Sequence, residues 1–145
     1  MTDDPFNLRR FVEAQDPIYD QVLGELQRGR KTSHWMWFVF PQIAGLGHSA
    51  MSRRFAISSL TEARAYLAHP VLGPRLKECV AMVLGVEEGS ATEIFGRPDD
   101  MKLRSSLTLF AQASHETVFR EALDRFVGGR LDAATLERLE LCDCR

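Results

Sequence analysis

Between Leu26 and Thr61 the chain has no aspartate or glutamate. Five cations stand in that stretch (Arg28, Arg30, Lys31, Arg53 and Arg54), so a chain of net charge −2 contains a +5 segment. Elsewhere twenty acids face thirteen Lys and Arg. Other shortages exclude whole classes of function. No apolar run approaches the roughly 18 residues that cross a bilayer, so no membrane partner is expected. Met1-Thr2-Asp3-Asp4 is polar and acidic, unlike the basic start and apolar centre of a secretory leader. Cysteine is scarce, at three residues. An odd count suits a reduced compartment better than a disulfide framework, and a cytoplasmic location is the expectation. The near-neutral total lacks the broad basic footprint of a nucleic-acid binder. Walker-type Gly-rich loop, GxGxxG, HExxH and GxSxG strings are all missing, which disfavours the common nucleotide-hydrolysing and acyl-transfer chemistries.

What is present is an ordinary globular composition. With 45% hydrophobic and 26% charged residues over 145 positions, the length suits one domain spanning 1–145. Cys142 to Arg145 reads as a frayed tail. Arginine outnumbers lysine fifteen to three. Genomic base composition accounts for that bias as readily as bidentate oxyanion contacts do.

Helix signals recur along the chain. Leu8, Phe11 and Val12 begin an amphipathic turn. Asp16-Pro17 supplies a cap followed by proline at a first helical position. Ile18, Tyr19, Val22, Leu23 and Leu26 continue one apolar stripe up to Gly29. Ser33 is a cap for about two turns of helix that end before Pro41. Gln42 to Ser49, with Gly45 and Gly47, reads as a loop. Ser59-Leu60-Thr61-Glu62 and Ser90-Ala91-Thr92-Glu93 have the pattern of capping boxes. Between them a helix from about Pro70 or Pro74 to Leu84 turns Leu76, Val80, Val83 and Leu84 inward, with Cys79 as a small core residue. Asp99 or Asp100 opens a helix through Leu103, Leu107 and Phe110. Ser114 opens the next, which closes at Gly128-Gly129, and Asp132 caps a last one through Leu136 and Leu139. Period-two alternation never persists long enough for a strand. The expected fold is all-α, a single compact domain of about six to eight short helices.

The string Ser33-His34-Trp35-Met36-Trp37-Phe38-Val39-Phe40-Pro41-Gln42 carries both tryptophans of the chain. With Gly29-Arg30-Lys31 before it and Gly45-Leu46-Gly47 after it, this block resembles the hallmark of a bacterial family called domain of unknown function 1810. The similarity continues through Arg54-Phe55-Ala56-Ile57, Ala65-Tyr66-Leu67, His69-Pro70-Val71-Leu72-Gly73, Ile94-Phe95-Gly96 and Lys102-Leu103-Arg104-Ser105-Ser106. It runs from about Leu8 to Leu139. The resemblance implies a mainly α-helical single domain and supplies no reaction. Some relatives are called calpastatin, a disordered repeat inhibitor. An unrepeated chain this hydrophobic and this rich in helix caps does not fit that description.

The candidate site follows from aromatic rings set beside unopposed positive charge. A helical Trp35–Phe40 segment cannot put every bulky ring on one face. It is either a buried hub or an aromatic wall of a cleft. If it is a wall, Trp35 or Trp37 stacks on a flat group. Lys31, Ser33 and His34 would then precede a helix whose first amides are free to hold an anion. Arg53 and Arg54 approach from across the glycine loop, and Gln42 adds a directional hydrogen bond. His34, with a near-neutral intrinsic pKa, is the best general acid or base on offer. Lys102 and Ser105 (with Ser106) share a helix face and either bind phosphate or tie helix ends together. Cys142-Asp143-Cys144 offers two ligands where zinc takes four, so no metal is expected, and no cofactor either. The leading expectation is recognition, with or without turnover, of a small anionic metabolite, nucleotide-like or phosphorylated. The alternative is a non-catalytic module that meets a protein partner through the same surface. Oligomeric state is open.

Overall fold

The helix from Asp99 to Ala113 is the axle of the molecule, although its sequence is not the most apolar. The computed structural model describes residues 4–87 and 89–143, with side chains as far as residue 140. Ten helices follow in order: α1 (Arg9–Gln15), α2 (Tyr19–Gln27), α3 (Met36–Val39), α4 (Ala50–Arg54), α5 (Leu60–Ala68), α6 (Leu72–Leu84), α7 (Ala91–Phe95), α8 (Asp99–Ala113), α9 (Thr117–Val127) and α10 (Ala133–Asp143). From Leu103 onward α8 is buried on nearly every side except at Arg104 and Gln112, packed by α5, α7, α9 and α10. A helix enclosed in this way must satisfy its polar side chains locally. Thr108 donates to the Arg104 carbonyl at 2.8 Å, and Ser105 donates to the Met101 carbonyl at 3.2 Å. Around this axle α6 packs on α2, α5 and α9, while α3 leans on α1.

The all-α expectation is correct, with more helices than the six to eight anticipated because single turns such as α3 and α4 stand as separate elements. Among the described residues there is no strand, only an isolated parallel bridge between Ile43 and Ile57. No described helix is long and apolar enough to cross a membrane. Several local signals act as read. Ser90 and Glu93 form a complete capping box, Asp132 accepts from the Thr135 amide, and Gly128 ends α9 in the left-handed conformation at φ 63°. Cys79 is buried, and burial pushes its thiol up to about 12, which leaves it inert.

Others are corrected by tertiary partners. Asp16 does not cap α2, which starts at Tyr19; its carboxylate instead pairs with Arg75 at 2.9 Å. Ser59 caps α5, but Glu62 turns away to Ser58 and Arg10. Ser114 yields the cap position of α9 to Glu116. The aromatic block makes one helical turn rather than two, with Trp35 at its cap position and no cap from Ser33. The side chains of Cys142-Asp143-Cys144, and the tail beyond Asp143, lie outside the described residues.

Candidate functional site

The acid-free stretch is not short of counter-charge in the folded molecule, because carboxylates enter it from the helices on either side. Glu25, in the last turn of α2, is 1% exposed. One of its oxygens accepts from the amides of Thr32 (2.8 Å) and Ser33 (3.0 Å) and from the Trp35 indole (2.9 Å). The other accepts from the Ser33 hydroxyl (2.7 Å) and the Gln21 amide (3.0 Å). Burial pushes the Glu25 carboxyl up, but the Ser33, Thr32, Gln21 and Trp35 donors outweigh it and hold the group down at about 2. The amides expected to be free for an external anion therefore already hold an internal one. Ser33 and Trp35 are fixed in this cluster, and Trp35 is 1% exposed.

The aromatic block divides accordingly. Trp35, Met36, Phe38, Val39 and Phe40 are core, with Phe40 packed edge-on against Phe95 at 5.8 Å between centroids. Trp37 alone of the block is half-buried. It faces a hollow of about 250 Å³ between the Lys31–Trp37 segment and the start of α8, shared with Lys31, His34, Arg97, Asp99 and Lys102. Four residues proposed from sequence (Lys31, His34, Trp37 and Lys102) thus converge on one place although about seventy positions separate the first from the last.

Charge within the hollow is arranged, not merely accumulated. Asp99 Oδ2 pairs with Lys31 at 2.8 Å, and Asp99 Oδ1 lies 3.7 Å from Lys102. Lys31, whose side chain is 6% exposed, also donates to the Ser33 carbonyl and lies 4.9 Å from the Trp35 ring centroid. Lys102 lies 5.3 Å over Trp37. Each indole therefore has a lysine on its face, within cation–π range. Arg97 is the loose member, 82% exposed and 4.0 Å from Asp100. The lining holds three cations against one carboxylate, with His34 exposed at the rim.

The remaining sequence candidates lie elsewhere. Gln42 and Arg53 line a separate hollow of about 240 Å³ with Gly45, Gly47 and Ser52, and no indole borders it. Arg54 lines neither hollow and sits 5.1 Å over Phe55. Ser105 reaches Asp132 at 3.1 Å and ties α8 to the start of α10. Sequence reasoning missed Glu25, Arg97 and Asp99. Glu25 left one usable signal, because it stands three residues after Val22 on the inward stripe of α2, where an acid needs donors. Arg97 and Asp99 left none.

The chain as a whole matches a known family. The family described as "Protein of unknown function (DUF1810)" matches residues 5–139. The chain belongs to that family. The crystal structure of the conserved hypothetical protein Rv1873 from Mycobacterium tuberculosis is similar at 54% identity and a TM-score of 0.93, over 94% of this chain and 98% of that one. No curated protein matches. Membership of DUF1810, read first from the His-Trp-Met-Trp string, is thus correct, and the family description assigns no activity.

Proposed function

We propose that this DUF1810 protein binds a small anionic metabolite, nucleotide-like or phosphorylated, in the hollow between Trp37 and the start of α8. The observation that supports the reading is the convergence of Trp37, Lys102, Arg97 and His34 around one opening. Folding does not require an indole and two cations to border the same cavity. Lys31 enters as the residue that holds Asp99 in place, because its ammonium is buried and engaged. Lys102 and Arg97 are the cations that meet the ligand, and Trp37 is the flat wall. His34 is the acid–base group within reach of a bound molecule. A volume of about 250 Å³ falls just below the usual range of roughly 300–1,000 Å³ for ligand pockets. That size suits a single small molecule.

A protein-docking face would call for contiguous exposed apolar surface, and among the described residues Met101 is the large hydrophobic side chain that stands exposed, at 69%. The small-ligand reading is therefore preferred. A thermal-shift screen of nucleotides and sugar phosphates tests it. At least one compound is expected to raise the melting temperature of the wild type, and Lys102→Ala and Arg97→Ala are expected to lose that response. No stabilisation across the panel, or responses unchanged in both variants, would contradict it.

A further inference from the structure

We infer that Asp99 selects the ligand, accepting one ring N–H from a planar heterocycle, and that the ligand is a nucleoside monophosphate. This rests on the small-anion reading above and names the ligand class for the same hollow.

The two oxygens of Asp99 are not equivalent. Oδ2 is engaged by Lys31 at 2.8 Å, and Lys31 cannot follow a ligand because it is buried and also donates to the Ser33 carbonyl. Oδ1 has only the Lys102 ammonium at 3.7 Å, beyond hydrogen-bonding distance, and among the described residues it accepts no hydrogen bond. A carboxylate only accepts, so whatever completes Oδ1 must bring an N–H or O–H. The neighbouring wall is the Trp37 ring, which rewards a flat group packed against it. A planar ring carrying its own donor meets both demands at once.

Charge sets the other end of the molecule. Lys102 is held loosely between Asp99 and the Trp37 face, and its side chain is 23% exposed. Arg97 is 82% exposed and, among the described residues, has only a distant contact to Asp100. Both arms are free to close on a phosphoryl group, one as a point charge and one as a bidentate fork. When Lys102 moves to the phosphoryl, Oδ1 of Asp99 is left for the ring N–H alone. A sugar phosphate would satisfy the cations and its hydroxyls could donate to Asp99, but it brings no flat group to the Trp37 face. A volume of about 250 Å³ has no room for a dinucleotide.

Isothermal titration with chosen ligand pairs tests this on the unmodified protein. Uridine and guanosine monophosphate are compared with their N3-methyl and N1-methyl forms, which replace the donor by a methyl group. Ribose 5-phosphate lacks the ring. 5-Methyluridine monophosphate carries the same extra methyl away from the donor and controls for size. At least one parent nucleotide is expected to bind, its N-methylated form at least about tenfold more weakly, the factor for losing one hydrogen bond to a charged group. 5-Methyluridine monophosphate should match uridine monophosphate, and ribose 5-phosphate should be weaker than the parent that binds. Equal affinity of the parent and N-methylated forms, equal weakening by the 5-methyl group, or ribose 5-phosphate binding as well as the nucleotides would overturn the role of Asp99 while leaving the small-anion reading intact. Failure of every compound here, together with a silent thermal-shift panel, would overturn both.

Discussion

The indole N–H of Trp35 donates to the carboxylate of Glu25 across 2.9 Å, with both side chains about 1% exposed. This contact explains how a segment without acids of its own is packed. An indole N–H buried without a partner costs about 1–3 kcal/mol, and a buried carboxylate costs more. Each answers the other, and the amides of Thr32 and Ser33 complete the set.

The same contact predicts a pH dependence. The Glu25 carboxyl falls from its ordinary value of 4.5 to about 2 in the folded protein. A depressed carboxylate stabilises the fold fully above the unfolded value and ceases to do so as pH falls through the folded one. At about 1.4 kcal/mol per unit, the contribution is on the order of 3 kcal/mol, present above pH 4.5 and fading toward pH 2. Urea melts of wild type and Glu25→Gln should differ by a few kcal/mol at pH 6, and the difference should narrow steadily to about 1 kcal/mol near pH 2.5. A gap that does not change with pH would show that the charge is not what matters.

Two adjacent serines on α8 should respond with opposite sign. Ser105 hydrogen-bonds both Met101 and Asp132, so Ser105→Ala should lower stability by about 1 kcal/mol. The Ser106 hydroxyl is buried without a partner among the described residues. Ser106→Ala removes that burden and should leave the melting temperature equal or higher. Thermal melts by circular dichroism decide the matter, and a large loss in Ser106→Ala would be the surprise.

Gly73 sits inside α6, where helix propensity alone says that alanine gains roughly 1 kcal/mol. The packing reverses that sign. A Cβ at Gly73 would fall far inside van der Waals contact distance of the Leu67 carbonyl oxygen and 2.9 Å from its carbon, both backbone atoms of α5 that cannot rotate away. Gly73→Ala should destabilise by about 1–3 kcal/mol, the usual range for overpacking. A stability at or above wild type in chemical denaturation would mean that α5 and α6 are less tightly docked.

Legibility from sequence followed the range of the interactions concerned. Ser90 with Glu93, Asp132 and Gly128 were readable because cap and partner lie within a few residues of each other. Asp16 and Ser33 were misread because Arg75 and Glu25, from other helices, attract their side chains more strongly than the adjacent helix start does. At the candidate site, composition pointed to a segment that borders a hollow, and Lys31, His34, Trp37 and Lys102 meet there. Composition had no means of telling Trp35 from Trp37. That difference depends on which indole finds Glu25, a contact made only when α2 folds back over the block.

The central claim is that a ligand lies against Trp37, and tryptophan emission tests it most directly. Trp35 is sealed in the core and Trp37 borders the hollow, so only Trp37 should report binding. Titrating uridine or guanosine monophosphate into wild type should produce a saturable change in emission, absent in Trp37→Phe. No saturable change in wild type, or the same change in Trp37→Phe, would contradict the account.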